Sequence, residues 1–301
     1  MCERFTERRI MTRLICEICG SGTEEVGSKT GVFRREVFIL RRCPRCRFVF
    51  VANPWTEYSE IYSEDYYAGK GADPLVDYQF ELEHPDETIR RHEWRGIVDL
   101  VGSLIATGPS TTWLDFGCGN GGLVRYCHAV GLVNAVGFEE GAIREAAIGR
   151  RIPFVDASDL QSRDGAFDVV TAVEVLEHVE RPLEVLHRIR SLLKPGGLFF
   201  YTTGNAAPHA ARILAWPYVV PEIHISFYEP ETLRRALVET GFRPDFRGYL
   251  PGFTEILRFK ILKNLRVRRR SAWQDLLPWF VLARAANAKH RVTDFPVAWA
   301  E

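Results

Sequence analysis

Residues 112–202 alternate short apolar runs with amphipathic stretches, and the first run ends in Asp115-Phe-Gly-Cys-Gly-Asn-Gly. A glycine turn between a strand and a helix restricts the chain to few folds. Glycines reach backbone conformations that side chains forbid, and they let main-chain N–H groups approach a ligand closely. Runs at 112–116, 133–138, 152–155, 168–173 and 198–202 read as strands. Between them, Leu123, Val124, Cys127 and Val130 recur at helical spacing, as do Leu183, Leu186, Ile189 and Leu192 further on. Gly131 stops the first of these helices, and Lys194-Pro195-Gly196-Gly197 stops the second. A further helix is expected at 230–240, closed by Gly241. The alternation predicts an α/β fold, a Rossmann-like parallel sheet with helices on both faces.

In such sheets ligands bind outside the carboxyl ends of the strands, and acids stand at those ends here. Asp115 precedes the first glycine by two residues. Glu139 ends the second strand, 24 residues after Asp115, where a carboxylate can accept hydrogen bonds from a ribose diol. Asp156 follows the third strand, and the fourth runs into Glu174-Val-Leu-Glu-His178-Val. Leu193-Lys-Pro-Gly-Gly comes next. Over residues 90–250 this ordered series resembles the class I S-adenosylmethionine (SAM)-dependent methyltransferases. The resemblance implies that Asp115, Gly117, Gly119 and Asn120 surround the methionine and ribose portions of SAM. It implies Glu139 on the ribose hydroxyls, Asp156 and the Ala157 backbone at the adenine, and Glu174 beside the sulfonium end. A dinucleotide-binding domain is the competing reading, and the Leu-Lys-Pro-Gly-Gly element stands against it.

Four of the seven cysteines form two C-x-x-C pairs, Cys16/Cys19 and Cys43/Cys46, with 23 residues between the pairs. Four thiolates complete a tetrahedral Zn²⁺ site and leave no open position, so the expected metal is structural. Metal binding would supply folding energy that so small a segment lacks. The competing reading is four unrelated buried cysteines. Arg47 follows the second pair where a glycine often stands. A small N-terminal zinc ribbon is therefore expected over 12–55, with a helical lid or linker over 56–110. The SAM-binding domain is expected over 111–250, and an extension over 251–301. The cysteine pairs followed by Tyr58, Tyr62, Tyr66 and Tyr67 resemble zinc-containing methyltransferases of sugar and natural-product biosynthesis. In that family the tyrosines help close a lid, while ordinary helix packing is the bland alternative.

Methyl transfer is an in-line displacement that often needs a base to remove the acceptor's proton. His224, in Pro-Glu-Ile-His-Ile-Ser-Phe-Tyr after the fifth strand, matches a candidate base of the resembling family, with Glu222 expected to orient or polarise it. A loop anchor is the alternative role for His224. His178 is a second candidate, with a structural hydrogen bond as its simpler role, and His209 in the insert at 205–220 a third. Trp216, Pro217 and Tyr218 are expected to form an apolar pocket wall.

Lys plus Arg equals Asp plus Glu at 39 each, which argues against a nucleic-acid partner. No apolar run of membrane-spanning length and no signal-peptide pattern occurs, so a cytoplasmic location is expected. From Arg258 to Arg270 seven basic residues mix with Ile261, Leu262, Leu265 and Val267. An amphipathic helix with a solvated basic face is the plain reading, and contact with a phosphate, a nucleotide diphosphate or an anionic membrane surface is the sharper one. The expected activity is O-methylation of a small-molecule acceptor: a sugar, a glycan precursor or a natural product. The alternatives are a zinc-ribbon RNA methyltransferase and a non-catalytic SAM-binding interaction protein. An Asn/Asp-Pro-Pro-aromatic motif, the mark of amino-group methylation of bases, is absent after the fourth strand, where Glu174-Val-Leu stands.

Overall fold

The computed structural model describes residues 14–33, 35–68, 70, 77–246, 249–292 and 297–301. Residues 12–13 and 34 of the expected ribbon, 69 and 71–76 of the segment after it, 247–248 of the expected SAM-binding domain and 293–296 of the extension lie outside them. The cysteine-bearing segment folds into β1 (Glu24–Thr30), β2 (Val37–Arg42) and β3 (Val49–Val51), an antiparallel meander. The α/β part supplies β4 (Trp113–Phe116), β5 (Ala135–Phe138), β6 (Phe167–Val173) and β7 (Leu193–Thr202). These four pair in parallel in the order β5-β4-β6-β7, which bears out the expected Rossmann-like sheet.

Residues 152–155 were expected to add a strand beside β5, and they make only a single parallel bridge, Gly137 to Phe154. Pro153 has no N–H to give a ladder, so its carbonyl accepts from Gly137 and the pairing ends within two residues. The Lys-Pro-Gly-Gly turn lies within β7: Phe167 pairs with Leu193, and the register then shifts so that Val169 pairs with Leu198.

Three further strands complete the sheets. β8 (Ser226–Phe227) pairs antiparallel with β3, so the ribbon's sheet runs β1-β2-β3-β8 and ends on the loop that carries His224. β9 (Phe242–Asp245) is an edge of the large sheet, and β10 (Val297–Ala300) enters antiparallel between β7 and β9. Residues 251–301 thus furnish an interior strand of the large sheet as well as the helices Phe253–Asn264 and Trp279–His290.

Side chains alternate along β7 as a sheet covered on both faces requires. Leu198 and Phe200 join one apolar cluster, with Trp94, Ile97, Leu123, Phe253 and Ile256 from three helices. Phe199 and Tyr201 join the other, with Leu186, Ile189, Leu233 and the ribbon's Phe48 and Phe50. Among the described residues no helix is long and apolar enough to cross a membrane.

The helix Phe253–Asn264 lies unusually close to the helix Arg90–Leu104. Gly252 adopts φ +89°, and a Cβ there would strike the Gly96 carbonyl; a Cβ on Gly96 would come 2.6 Å from the Gly252 carbonyl. Gly252→Val therefore combines a forbidden backbone conformation with overpacking. It is expected to cost at least about 1 kcal/mol more in urea unfolding than Gly131→Val, which carries the same backbone strain at its own positive φ but whose Cβ meets open space.

Candidate functional site

β4 ends at the glycine turn, and Gly117, Gly119 and Gly121 all take positive φ there, at 71°, 54° and 71°. Gly117, Gly119 and Gly122 also fit a dinucleotide fingerprint, so the spacing of this turn does not by itself separate the two ligand classes. The carboxylate of Glu139, at the end of neighbouring β5, accepts the Gly119 N–H at 2.8 Å, the Gly141 N–H at 2.7 Å and the Glu140 N–H at 3.0 Å. The expected acid thus stands at the expected turn, and the donor set fits SAM: a carboxylate for a diol beside a close-approach backbone. Asp115 is buried and accepts from the Thr171 hydroxyl at 2.7 Å. Asn120 turns its amide away from the turn, donating to the Tyr78 carbonyl at 3.0 Å and to Glu81 at 3.3 Å. Its oxygen accepts the Gly122 N–H, so it ties the helix Tyr78–Glu83 to the turn.

Tyr62, Tyr66, Tyr67 and Tyr78 cluster at this site. A Cβ on Gly119 would come 3.0 Å from the Tyr78 ring, and one on Gly141 would strike the Tyr67 hydroxyl. Tyr66 and Tyr67 are buried and meet Tyr62 and Tyr78 edge to face or tilted. Asp156 and Ala157 are exposed at the start of the helix Ala157–Gln161, and Asp156 pairs with Arg144.

Beyond β6 the site becomes a knot of ionisable groups. Glu174 sits at φ 55°, a conformation rare for a side-chain-bearing residue and found where function holds strain. Its carboxylate accepts from Lys260 at 2.7 Å and Thr202 at 2.9 Å, with the Tyr218 hydroxyl at 3.2 Å. Glu177 is fully buried and accepts from Tyr218 at 2.5 Å and Thr203 at 2.9 Å. Burial opposes ionisation of both acids. Lys260 outweighs it at Glu174, whose carboxyl is held well below its usual range. At Glu177 burial and the Glu174 charge push the carboxyl up to about 8.

His178 and His224 face each other with ring centroids 4.9 Å apart. Nδ1 of His224 lies 2.7 Å from the Tyr218 carbonyl, and Nδ1 of His178 lies 2.8 Å from that of Ile223. A carbonyl only accepts, so both rings carry their proton on Nδ1, and Nε2 is the basic atom of each. Glu222 does not take the expected place beside His224. Its carboxylate accepts the Phe33 N–H at 2.7 Å, and a Cβ on Gly31 would strike it. The reason is topological: β8 pairs with β3, and this packs the residues before β8 against the β1–β2 turn. Glu177, not Glu222, is the carboxylate near the two rings, and with His178 and His224 it presents ligand atoms all within 4.8 Å of one another. That trio could hold a divalent cation. His209 stacks on Trp216 at 4.6 Å, and Trp216 on Tyr218 at 4.8 Å.

The four cysteine sulfurs also lie within 4.8 Å of one another. Cys16 meets Cys46, and Cys19 meets Cys43, each at 3.4 Å, near the sulfur spacing of about 3.8 Å that a tetrahedral Zn–S₄ centre requires. Arg47 takes φ 65°, a conformation that favours glycine, and its guanidinium reaches Glu229 at 2.6 Å. Thr232 donates to the Cys46 carbonyl at 2.7 Å, so the ribbon is pinned to the start of the helix Pro230–Glu239.

Sequence reasoning missed Lys260, whose basic helix gave no sign of an inward lysine, and the hydroxyl role of Tyr218. Glu177 was legible as the acid before His178 in Glu174-Val-Leu-Glu-His.

The family model described as a methyltransferase domain matches residues 87–245, more than half of the chain. The chain belongs to the methyltransferase-domain family. The resemblance to class I SAM-dependent enzymes drawn from the strand-end acids therefore holds. Among curated relatives, a ubiquinone biosynthesis O-methyltransferase of Caulobacter vibrioides is 36% identical over 159 residues, covering 46% of this chain and 62% of the relative. One of Thiobacillus denitrificans is 31% identical over 149 residues, covering 44% and 64%. The chain thus spans less than two thirds of the length of these relatives. Among solved structures, the complex of the Haloferax volcanii Trm112 methyltransferase activator with a putative methyltransferase matches at 16% identity with a TM-score of 0.49, covering 78% of this chain and 95% of that one.

Burial pushes the Asp115 carboxyl up to about 7, against the lowering hydrogen bond from Thr171 and with the Glu139 charge adding to the rise. A raised folded-state value means that protonated Asp115 favours folding. This contribution is complete below the unfolded value near 4 and is lost as pH rises through about 7. The ligand-free protein is expected to lose unfolding temperature from pH 5 to 8, and Asp115→Asn to lose measurably less. Equal slopes for the two proteins in a pH series of thermal melts would contradict the assignment.

Proposed function

We propose that the protein transfers a methyl group from SAM to a hydroxyl oxygen of a small molecule, with Nε2 of His224 receiving the hydroxyl proton. The observation that carries the reading is the His224 ring itself. Its Nδ1–H is fixed by the Tyr218 carbonyl and its face rests on the Tyr218 ring 4.2 Å away, so the basic nitrogen is oriented in advance. The curated relatives named above are O-methyltransferases of ubiquinone biosynthesis, which supports oxygen as the acceptor atom. SAM, when bound, supplies an electrophilic methyl on a sulfonium. Glu139 would hold its ribose, and the tyrosines over Gly119 and Gly141 would exclude water. The wall of His209, Trp216 and Tyr218 would receive the acceptor, which we take to be a sugar, a glycan precursor or another natural product.

The test is turnover on a panel of hydroxylated acceptors, read as S-adenosylhomocysteine formed. His224→Ala is expected to lower kcat by about 10²–10⁴-fold, the range for a positioned base, with SAM affinity by calorimetry nearly unchanged. Glu139→Ala is expected to weaken SAM binding instead. Full turnover by His224→Ala would overturn the base assignment. A cation at the Glu177–His178–His224 trio is the second reading. It predicts that turnover vanishes with a mild chelator and returns with added divalent metal while the cysteine-bound metal stays in place.

For the ribbon we propose one structural Zn²⁺ on Cys16, Cys19, Cys43 and Cys46. Elemental analysis is expected to give about one zinc per chain, and Cys43→Ser to abolish it. Because β3 pairs with β8 two residues beyond His224, zinc loss is also expected to lower turnover. Metal-free protein with four free thiols and an intact ribbon would refute the site.

A further inference from the structure

The segment read as a basic extension turns two of its charges inward. Arg258 is buried against Asp275 and the Trp279 ring, and Lys260 meets Glu174. What it leaves outside is a set of exposed apolar side chains on two neighbouring helical segments. Leu276 is 85% exposed, Val281 61%, Phe280 57% and Trp273 50%, with Leu277 beside them. The outer side of a surface helix is ordinarily polar. Here the inner side of the helix Trp279–His290 is already filled by Trp279 and Ala283, and although the Phe280 ring meets Tyr249 and Arg284, more than half of Phe280 and of Val281 stays exposed.

Charge identifies the occupant. The chain as a whole is neutral, yet residues 257–292 hold ten lysines and arginines against a single acid, Asp275; Arg258, Lys260, Arg268 and Arg269 pair with Asp275, Glu174, Asp77 and Glu87, which leaves six outside those pairs. Arg266 and Arg270 lie between the two helices, and Arg284 and Lys289 on the second helix. A second copy of this chain docked across a two-fold axis would bring these basic residues together and repel itself. A surface that is apolar at its centre and negative in its field would satisfy both features.

We propose that the face of Trp273, Leu276, Leu277, Phe280 and Val281 docks on an anionic lipid bilayer, with the surrounding arginines and lysines on the lipid headgroups. The helix that carries it ends beside the acceptor side of the sheet. Asn205, just after β7, donates to the Arg291 carbonyl at 3.3 Å. Docking therefore brings the His209–Trp216 wall towards the lipid surface.

The test is co-sedimentation of the full chain with phosphatidylcholine vesicles, with and without phosphatidylglycerol. It needs no turnover, so its outcome is independent of the acceptor and of the base. Binding is expected only with phosphatidylglycerol and is expected to weaken as salt rises. Leu276→Asp with Phe280→Asp is expected to lower the partition at least about tenfold, because two large side chains no longer enter the bilayer. Both positions are more than half exposed, so the variant's unfolding temperature is expected to fall only slightly, by what the contact of Phe280 with Tyr249 and Arg284 contributes. Arg266→Gln with Arg270→Gln is expected to weaken binding and flatten its salt dependence. Absence of binding to anionic vesicles, or equal binding by the aspartate variant, overturns the proposal. So does a dimer in sedimentation velocity that the aspartate variant dissolves, which would make the face a contact between copies.

Discussion

A parallel sheet has to be covered on both faces, because its strands carry apolar side chains above and below. Here the covers come from distant parts of the chain. The helix Phe253–Asn264 and the helix Arg90–Leu104 close one face through the glycine contact of Gly96 with Gly252, and β10 fills the gap between β7 and β9. The other face receives the helices Pro182–Leu192 and Pro230–Glu239, and the cysteine ribbon joins the same apolar cluster through Phe48 and Phe50. Each large side chain so buried contributes on the order of 1.5–3 kcal/mol. Both the ribbon and the C-terminal segment are therefore parts of the core.

That coverage buries the acids at the strand ends, and their electrostatics follow. A carboxylate withdrawn from water must be neutralised, hydrogen-bonded or paired. The site uses all three solutions within a few residues. Asp115 leans towards protonation at neutral pH, Glu139 sits among main-chain N–H groups, and Glu174 pairs with Lys260. Such groups are set before any ligand arrives, which is the condition for electrostatic preorganisation. The left-handed backbone at Glu174 is held by its own N–H to the Thr202 carbonyl at 3.0 Å.

The two-residue ladder between β3 and β8 ties the ribbon to the loop that carries His224. It fixes the stretch that follows His224, while Ser226 donates to the Val179 carbonyl at 2.7 Å and Ile225 to that of Glu177 at 2.8 Å. The loop after β7 and the loop after β6 are thereby locked together, and the two imidazoles meet. The same ladder turns Glu222 to the β1–β2 turn.

The sequence by itself determined whatever depends on local order. Strand and helix periodicity specified the α/β sheet, since alternation of two and of 3.6 residues is a property of neighbours. The glycine turn and Glu139 were legible because strand ends in such a sheet converge by construction, and the cysteine pairs because thiol spacing is a covalent fact. Tertiary structure decided what depends on non-local pairing. It gave His224 the Tyr218 carbonyl and Glu177 in place of Glu222, because the ladder of β8 with β3 spans 175 residues or more and leaves no periodic trace. It reduced the strand at 152–155 to one bridge through the missing N–H of Pro153. It sent Lys260 to Glu174, because the direction of one lysine in a basic helix is set by the helix against which it packs.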